Sequence, residues 1–314
     1  MEWAWNLSFG EEVKQFLVVY NITELKNKGN LSYYKAAISS ILNQRYDDFS
    51  LIVSGYKVTK ETKKALFEEF DHSIMYCWTD FLAPVNVTFN LSCLNFIKNY
   101  GRVDGYIYMD SGITFGYNKT VLGTFNDYFN LGDWGLISML PDTDCGSWGW
   151  FPEGLPDSSF IVPIGRTTNL HVCLFSDAIV EFYGRPLPDI FASNCSETIF
   201  SFLASAIGKR YLIIRDFELH HEHSLDGPSC SFPTQHPWDH TYNSPRSIKE
   251  ILGDFDGHGG SLGYEEMSNV LKHDPAHYEQ GLCKNGNLKT FIRDNFFLKK
   301  PHFDYDQIPC EFIH

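Results

Sequence analysis

The sequence predicts an α/β protein in which a mostly parallel sheet is flanked by helices. Short apolar runs rich in β-branched residues alternate with segments whose apolar residues recur at helical spacing. The order over residues 16–109 is strand, helix, strand, helix, strand, helix, strand. Such an order predicts parallel strands joined by right-handed crossovers. It is typical of a Rossmann-like, nucleotide-binding half-domain.

The individual elements follow from local composition. The run FLVVY at 16–20 is apolar and β-branched, so it predicts a buried strand. Ser32 and Thr59 stand at the starts of two amphipathic segments, where a hydroxyl can cap a helix. The predicted strands are 16–20, 49–53, 73–78 and 106–109, and the predicted helices are 32–42, 59–70 and 91–100.

The second half of the chain is less regular. Its predicted elements are a strand at 170–176, helices at 177–183 and 195–207, a strand at 211–214 and a helix at 264–272. Gly208 is expected to end the apolar helix at 195–207. We expect a main domain over 1–225, with a nucleotide-binding half at about 14–115 and a second half at about 116–225. An irregular C-terminal extension, 226–314, is expected to pack on the same domain.

Composition limits the classes of partner. The net charge of −14 over 314 residues argues against nucleic acid, whose phosphates require a concentrated basic surface. The eight cysteines include no C-x-x-C pair, which indicates buried thiols in a reducing compartment and no structural zinc. No apolar window reaches ~18 residues and no signal-like start is present, so a soluble, cytoplasmic protein without a membrane span is expected. The seven N-x-S/T sequons are accordingly expected to be unmodified.

The predicted strand at 106–109 leads directly into Asp110-Ser111-Gly112. Ligands of open α/β sheets bind outside the carboxyl ends of the strands, where a carboxylate can reach a phosphate or a metal. Asp, Ser and Gly are also ordinary turn residues, so a purely structural turn is the alternative.

Three segments resemble nucleotide-sugar glycosyltransferases of the glycosyltransferase-A fold, in particular family 2-like members. The segments are FLVVYN at 16–21, AISSILNQRY at 37–46 and FSLIV at 49–53, and the resemblance extends over roughly residues 16–225. It implies that a donor nucleotide lies across the ends of the first strands. The donor-binding residues expected from it are Tyr20, Asn21, Ser54, Asn90, Asp110, Ser111 and Gly112.

The resemblance also implies a metal-assisted reaction. Asp110 stands where the family has an Asp-x-Asp motif that holds Mn²⁺ or Mg²⁺ against the donor diphosphate, although Gly112 replaces the second acid. Family members often carry a histidine after the strand predicted at 211–214, and here the chain has three in HHEH at 220–223. The expected metal ligands are Asp110, His221 and His223, with a solvated polar turn as the alternative for the histidines.

Glu197 is the candidate catalytic base. In the family an acid at the start of the corresponding helix takes a proton from the acceptor hydroxyl, and Glu197 occupies that place. A carboxylate beside a helix N-terminus is held in its ionised form by the macrodipole. The alternative is a Glu that only stabilises the helix start.

These residues predict an enzyme that moves a sugar from a UDP- or GDP-sugar to a hydroxyl of a glycan acceptor, in glycan biosynthesis. Two other interpretations stay open. The missing second acid is compatible with a non-catalytic carbohydrate- or nucleotide-sugar-binding protein on the same scaffold. A nucleotidyltransferase is the other, but the Gly-rich phosphate loop typical of that class is absent between Asn21 and Gly29.

Overall fold

The computed structural model describes residues 15–23, 31–80, 85–117, 119–141, 159–162, 171–187, 200–216, 219–221 and 305–314. The statements below concern these residues. They form a nine-stranded mixed sheet with helices on both faces, together with a second sheet of two short strands. The predicted α/β architecture is confirmed.

The strands carry numbers in chain order. They are β1 (Phe16–Thr23), β2 (Phe49–Tyr56), β3 (Met75–Thr79), β4 (Gly105–Met109), β5 (Ile113–Thr114), β6 (Trp134–Pro141), β7 (Ser159–Ile161), β8 (Val172–Ser176), β9 (Arg210–Asp216), β10 (His220–His221) and β11 (Glu311–Ile313). The helices are α1 (Leu31–Leu42), α2 (Lys60–Phe70), α3 (Val85–Tyr100), α4 (Val121–Leu131), α5 (Asp177–Tyr183) and α6 (Phe200–Ala206). Short 3₁₀ turns occupy Asp71–Ser73 and Tyr305–Gln307.

The strand order of the large sheet is β11-β3-β2-β1-β4-β8-β6-β9-β7. The block β3-β2-β1-β4 is parallel throughout, as the sequence predicts. β8 then runs antiparallel to both β4 and β6, while β6 and β9 are parallel to each other. Antiparallel strands β11 and β7 form the two edges. The second sheet pairs β10 with β5.

Alternation along the strands divides the core into two layers. In β1, Leu17 and Val19 face the layer that contains α3, α5 and α6, whereas Phe16, Val18 and Tyr20 face the layer that contains α1, α2 and α4. Every one of these β1 side chains is fully buried. A strand that is buried on both faces must be apolar at successive positions, which explains the continuous run FLVVY.

Local signals account for most element boundaries. The Thr59 hydroxyl caps α2 by accepting from the backbone N–H of Thr62 at 3.2 Å. Gly208 follows α6 with a φ of +74°, the left-handed conformation expected after a helix end. α3 begins at Val85 rather than at the predicted residue 91. Its first turns carry Thr88, Asn90 and Ser92, whose polar side chains are buried against neighbouring elements and do not form a loop.

The last described segment, 305–314, lies along one edge of the sheet, where β11 pairs with β3. Ion pairs join Lys63 to Glu311 at 2.9 Å and Lys98 to Asp306 at 3.2 Å. The predicted helix at 264–272 lies outside the described residues. Within the described ranges, no helix combines the length and the apolar character needed to cross a membrane.

Candidate functional site

The carboxyl ends of β1, β2 and β4 meet at one edge of the sheet. The strand register pairs Tyr20 with Met109 and Asn21 with Ser54, so three predicted site positions lie side by side. Asp110 immediately follows β4 at the same edge and is only partly buried. In a parallel sheet this edge is where ligands bind, because the helix N-termini and the connecting loops converge there.

Asp110 opens a tight turn that leads from β4 to β5. The Asp110 carbonyl accepts a hydrogen bond from the backbone N–H of Ile113 at 3.1 Å, which closes the turn. The backbone N–H of Ser111 donates to Oδ1 of Asp110 at 2.7 Å. This bond orients the carboxylate, because it ties one oxygen to the backbone of the turn.

Two tyrosines hold the outer side of this turn. The Tyr20 hydroxyl donates to the Ser111 carbonyl at 3.0 Å, and the Tyr33 hydroxyl donates to the Gly112 carbonyl at 2.7 Å. Burial is the main cause that raises the pKa of Tyr20 well above its ordinary value, and the nearby charge of Asp110 adds to it. Tyr20 is therefore a neutral hydrogen-bond donor that fixes the backbone beside Asp110.

Two histidines complete the surroundings of Asp110. The backbone N–H of Asp110 donates to the His171 carbonyl at 2.9 Å, just before β8 begins. His221 pairs with Ile113 in the small sheet, and its ring centroid lies 4.3 Å from that of His171. The fold thus brings His221, which the sequence predicts, to the end of β4. It adds His171, which the sequence analysis did not identify.

The sequence analysis missed His171 because it assumed a parallel strand. In a strand parallel to β4, the residue before the strand would lie at the opposite edge of the sheet. β8 is antiparallel to β4, so its start lies beside the end of β4. The signal was a histidine at the head of the apolar run HVCLFS, but its meaning depends on a strand direction that the run does not encode.

A layer of small polar side chains lies between this edge and α3. The Thr88 hydroxyl donates to Oδ1 of Asn21 at 3.4 Å, and the Ser92 hydroxyl donates to Oγ of Ser54 at 3.0 Å. All four of these side chains are buried. They connect the ends of β1 and β2 to α3, and they give the edge a polar but rigid floor.

Asn90, also on the predicted list, lies deeper. Its Nδ2 donates to the Leu187 carbonyl at 2.9 Å and to the Tyr305 hydroxyl at 3.0 Å. Its Oδ1 accepts from the backbone N–H of Leu187 at 3.0 Å. The side chain is fully buried, and these bonds join α3 to the loop after α5 and to the C-terminal segment.

Two predicted residues, Glu197 and His223, lie outside the described residues. Among the side chains that the structure describes, no three carboxylate, imidazole or thiol groups stand close enough together to hold a metal ion. Asp110 and His221 supply an oxygen and a nitrogen donor of the kinds that Mn²⁺ accepts, so they fit part of a metal site but do not complete one.

Comparison with known proteins yields structural likenesses alone. No protein-family profile matches the sequence, and no curated protein matches it. S. aureus TarS 1–349 matches with a TM-score of 0.49 and 15% identity, over 91% of this chain and 75% of that one. TarS 1–349 in complex with UDP-GlcNAc matches with a TM-score of 0.46 and 12% identity, over 64% and 58%. The mannosyltransferase PcManGT from Pyrobaculum calidifontis, in complex with GDP-Man and Mn²⁺, matches with 0.47 and 10%, over 65% and 57%.

In two of these three matches the aligned part is less than two thirds of the other protein's chain. Each TM-score is below 0.5, so the description of the site rests on the strand order and on the surroundings of Asp110. In its overall fold, the chain resembles nucleotide-sugar glycosyltransferases of the glycosyltransferase-A type.

Proposed function

We propose that this protein is a glycosyltransferase that moves a sugar from a UDP- or GDP-sugar to a hydroxyl of a glycan acceptor. The observation that carries the proposal is the position of Asp110. Its carboxylate is oriented by Ser111 at the carboxyl end of β4, and His171 and His221 lie beside it. A fixed charge among imidazoles at this edge is suited to a ligand that carries phosphate.

In this proposal the nucleotide lies near Tyr20, Asn21 and Ser54, and its diphosphate lies near Asp110, Ser111 and Gly112. Tyr20 acts indirectly, because its buried hydroxyl holds the Ser111 carbonyl and thereby the turn. Asn90 acts at a greater distance, through the position of α3. A rigid support of this kind keeps a reacting group in place without cost at the moment of reaction.

The proposed reaction is a displacement at the anomeric carbon. The acceptor oxygen forms the new bond, the bond to the nucleoside diphosphate breaks, and the diphosphate leaves with the bonding electrons. Glu197 is the proposed base that takes the acceptor's proton. A divalent cation bound by Asp110 with His221 and His223 would neutralise charge on the departing diphosphate.

The first test replaces Asp110 by asparagine, which keeps the size of the side chain and removes its charge. We expect sugar transfer to fall ~10²-fold or more, because charge stabilisation at the leaving group is lost. The matched control is Asp104→Asn. Asp104 lies just before β4, so it makes the same chemical change at the opposite end of the same strand, on an exposed side chain.

Transfer is measured with radiolabelled UDP- and GDP-sugars in the presence and absence of Mn²⁺. Near-normal transfer by a folded Asp110→Asn protein would overturn the assignment of the donor site. A fall of the same size in Asp104→Asn would show that the effect is not specific to this edge.

The second test concerns Glu197. Glu197→Gln keeps the hydrogen-bonding capacity of the side chain but cannot accept a proton, so transfer should fall by ~10²–10⁴-fold. Donor affinity should be unchanged, because the proton comes from the acceptor. If turnover is unchanged and only ~1 kcal/mol or less of stability is lost, Glu197 is a helix-start residue and not the base.

One observation favours a second candidate function, a non-catalytic protein that binds nucleotide sugars. Gly112 stands where a second acid is expected, and the described residues contain no complete set of metal ligands. Titration calorimetry with UDP- and GDP-sugars separates the two candidates. Binding without transfer or hydrolysis, with and without Mn²⁺ and over a panel of glycan acceptors, would favour the second.

A further inference from the structure

A pair of thiols lies where the C-terminal segment meets the edge of the sheet. β11 pairs with β3 so that Phe312 lies opposite Cys77. Cys310 precedes Phe312 by two residues and so belongs to the same face of the ladder as Cys77. Residues related in this diagonal way are neighbours across an antiparallel pair.

The two thiols differ in exposure and in acidity. Cys77 is 1% exposed, whereas Cys310 is partly exposed and accepts a hydrogen bond from Nδ2 of Asn95 at 3.5 Å. The hydrogen bond with the Cys77 thiol, followed by that with Asn95, lowers the pKa of Cys310 to about 7 although burial opposes it. The same interaction with Cys310, followed by burial, raises the pKa of Cys77 well above its ordinary value.

This arrangement suits stepwise oxidation, since an accessible thiolate is the sulfur that reacts first and a neighbouring thiol then resolves the product. We propose that Cys310 and Cys77 are an oxidation site that hydrogen peroxide converts reversibly into a disulfide. The Cys310 thiolate attacks the peroxide, forming a sulfenic acid and releasing hydroxide. The Cys77 sulfur then attacks the sulfenic sulfur, the S–O bond breaks, and the oxygen leaves as water. In total two thiols and one peroxide give one disulfide and two waters, so the two sulfurs supply the two electrons.

The geometry needs only a small adjustment. Diagonal neighbours in an antiparallel pair are typically ~7–8 Å apart between Cα atoms, slightly more than the ~4.4–6.8 Å of a disulfide. Cys310 precedes the first residue of β11, so its backbone is outside the ladder and can move toward β3. The buried partner, within β3, stays in place.

The bond would fasten the C-terminal segment to the sheet. The same segment contacts α3 through Tyr305 and Asp306, which bond to Asn90 and Lys98. α3 also supports the carboxyl ends of β1 and β2. Oxidation would therefore close a covalent loop around the helix that lies beneath the proposed donor edge. This inference does not depend on glycosyl transfer.

The test uses the full chain and a chemical readout. The reduced protein is treated with a small excess of hydrogen peroxide and unreacted thiols are blocked with N-ethylmaleimide. The protein is then digested without reductant and analysed by mass spectrometry. We expect one linked peptide pair that joins residues 77 and 310, formed before any other, and its loss after treatment with dithiothreitol.

Two variants sharpen the test. Cys310→Ser should abolish the linked pair and leave Cys77 unoxidised, whereas Cys173→Ser, a change at a buried thiol in β8, should leave the pair intact. A first linked pair between other cysteines would overturn the proposal. So would Cys310 oxidised to a sulfinic acid while Cys77 is still a free thiol. Because the mapping is done on the unaltered chain, it decides even if a variant does not fold.

Discussion

Replacing Asn90 tests whether this residue supports the fold or only the ligand. Asn90→Ala removes three hydrogen bonds and leaves the buried N–H and C=O groups of Leu187 without their side-chain partner. An unsatisfied buried backbone group costs roughly 1–3 kcal/mol, so the two together cost about 3 kcal/mol. Alanine recovers up to ~0.7 kcal/mol through its higher helix propensity. The expected net loss of unfolding free energy is about 2 kcal/mol.

Urea denaturation followed by far-UV circular dichroism measures this loss. Asn99→Ala is the matched control, because Asn99 is an exposed asparagine of the same helix that bonds only within it, to the Asn95 carbonyl at 2.8 Å. Its loss should stay within ~0.5 kcal/mol. Tyr305→Phe, which removes one of the three bonds, should cost ~1 kcal/mol. Equal stability of Asn90→Ala and Asn99→Ala would refute the reasoning and return Asn90 to the list of ligand contacts.

Three further predictions concern the same elements. Gly55→Ala should lower the unfolding free energy by ~1–3 kcal/mol in urea denaturation, because the added methyl would lie 2.8 Å from a neighbouring valine methyl; a neutral effect would contradict this close packing. Tyr20→Phe should cost ~1 kcal/mol and weaken nucleotide-sugar binding measured by calorimetry, since the Ser111 carbonyl loses its donor; unchanged affinity would exclude the positioning role. The alkylation rate of Cys310 by iodoacetamide should rise with a midpoint near pH 7, because its pKa is lowered to about 7, whereas burial, which raises the pKa of Cys173 to about 12, should keep that thiol unreactive in the folded protein; a Cys310 midpoint near pH 8.5 would indicate an ordinary thiol.

The parallel block of the sheet could be predicted because each of its elements carries its own signal. The apolar run FLVVY specifies a strand that is buried on both faces, and Thr59 caps the helix that it precedes. The position of Asp110 at a strand end follows in turn, since the residue after a predicted strand needs no tertiary information. These inferences use properties that extend over only a few residues.

The rest depends on contacts between distant parts of the chain. The direction of β8 is set by its partners β4 and β6, so the place of His171 could not be deduced from its neighbours in sequence. The buried role of Asn90 depends on Leu187 and Tyr305, which are remote in sequence. β11 has three residues, too few for a recognisable pattern, and it is a strand because β3 offers it an edge.

The closing strand β11 has a consequence for how the protein is made. Of the strands in the large sheet it is the last to be synthesised, and the ion pair between Lys63 and Glu311 joins residues 248 positions apart. At ~5–20 residues per second, a ribosome takes on the order of tens of seconds to cover that distance. During this time the outer backbone groups of β3 have no β11 to pair with, and an uncovered edge is a template for pairing with another chain. Nascent chains that stall within this interval should therefore be the form of this protein most prone to aggregate.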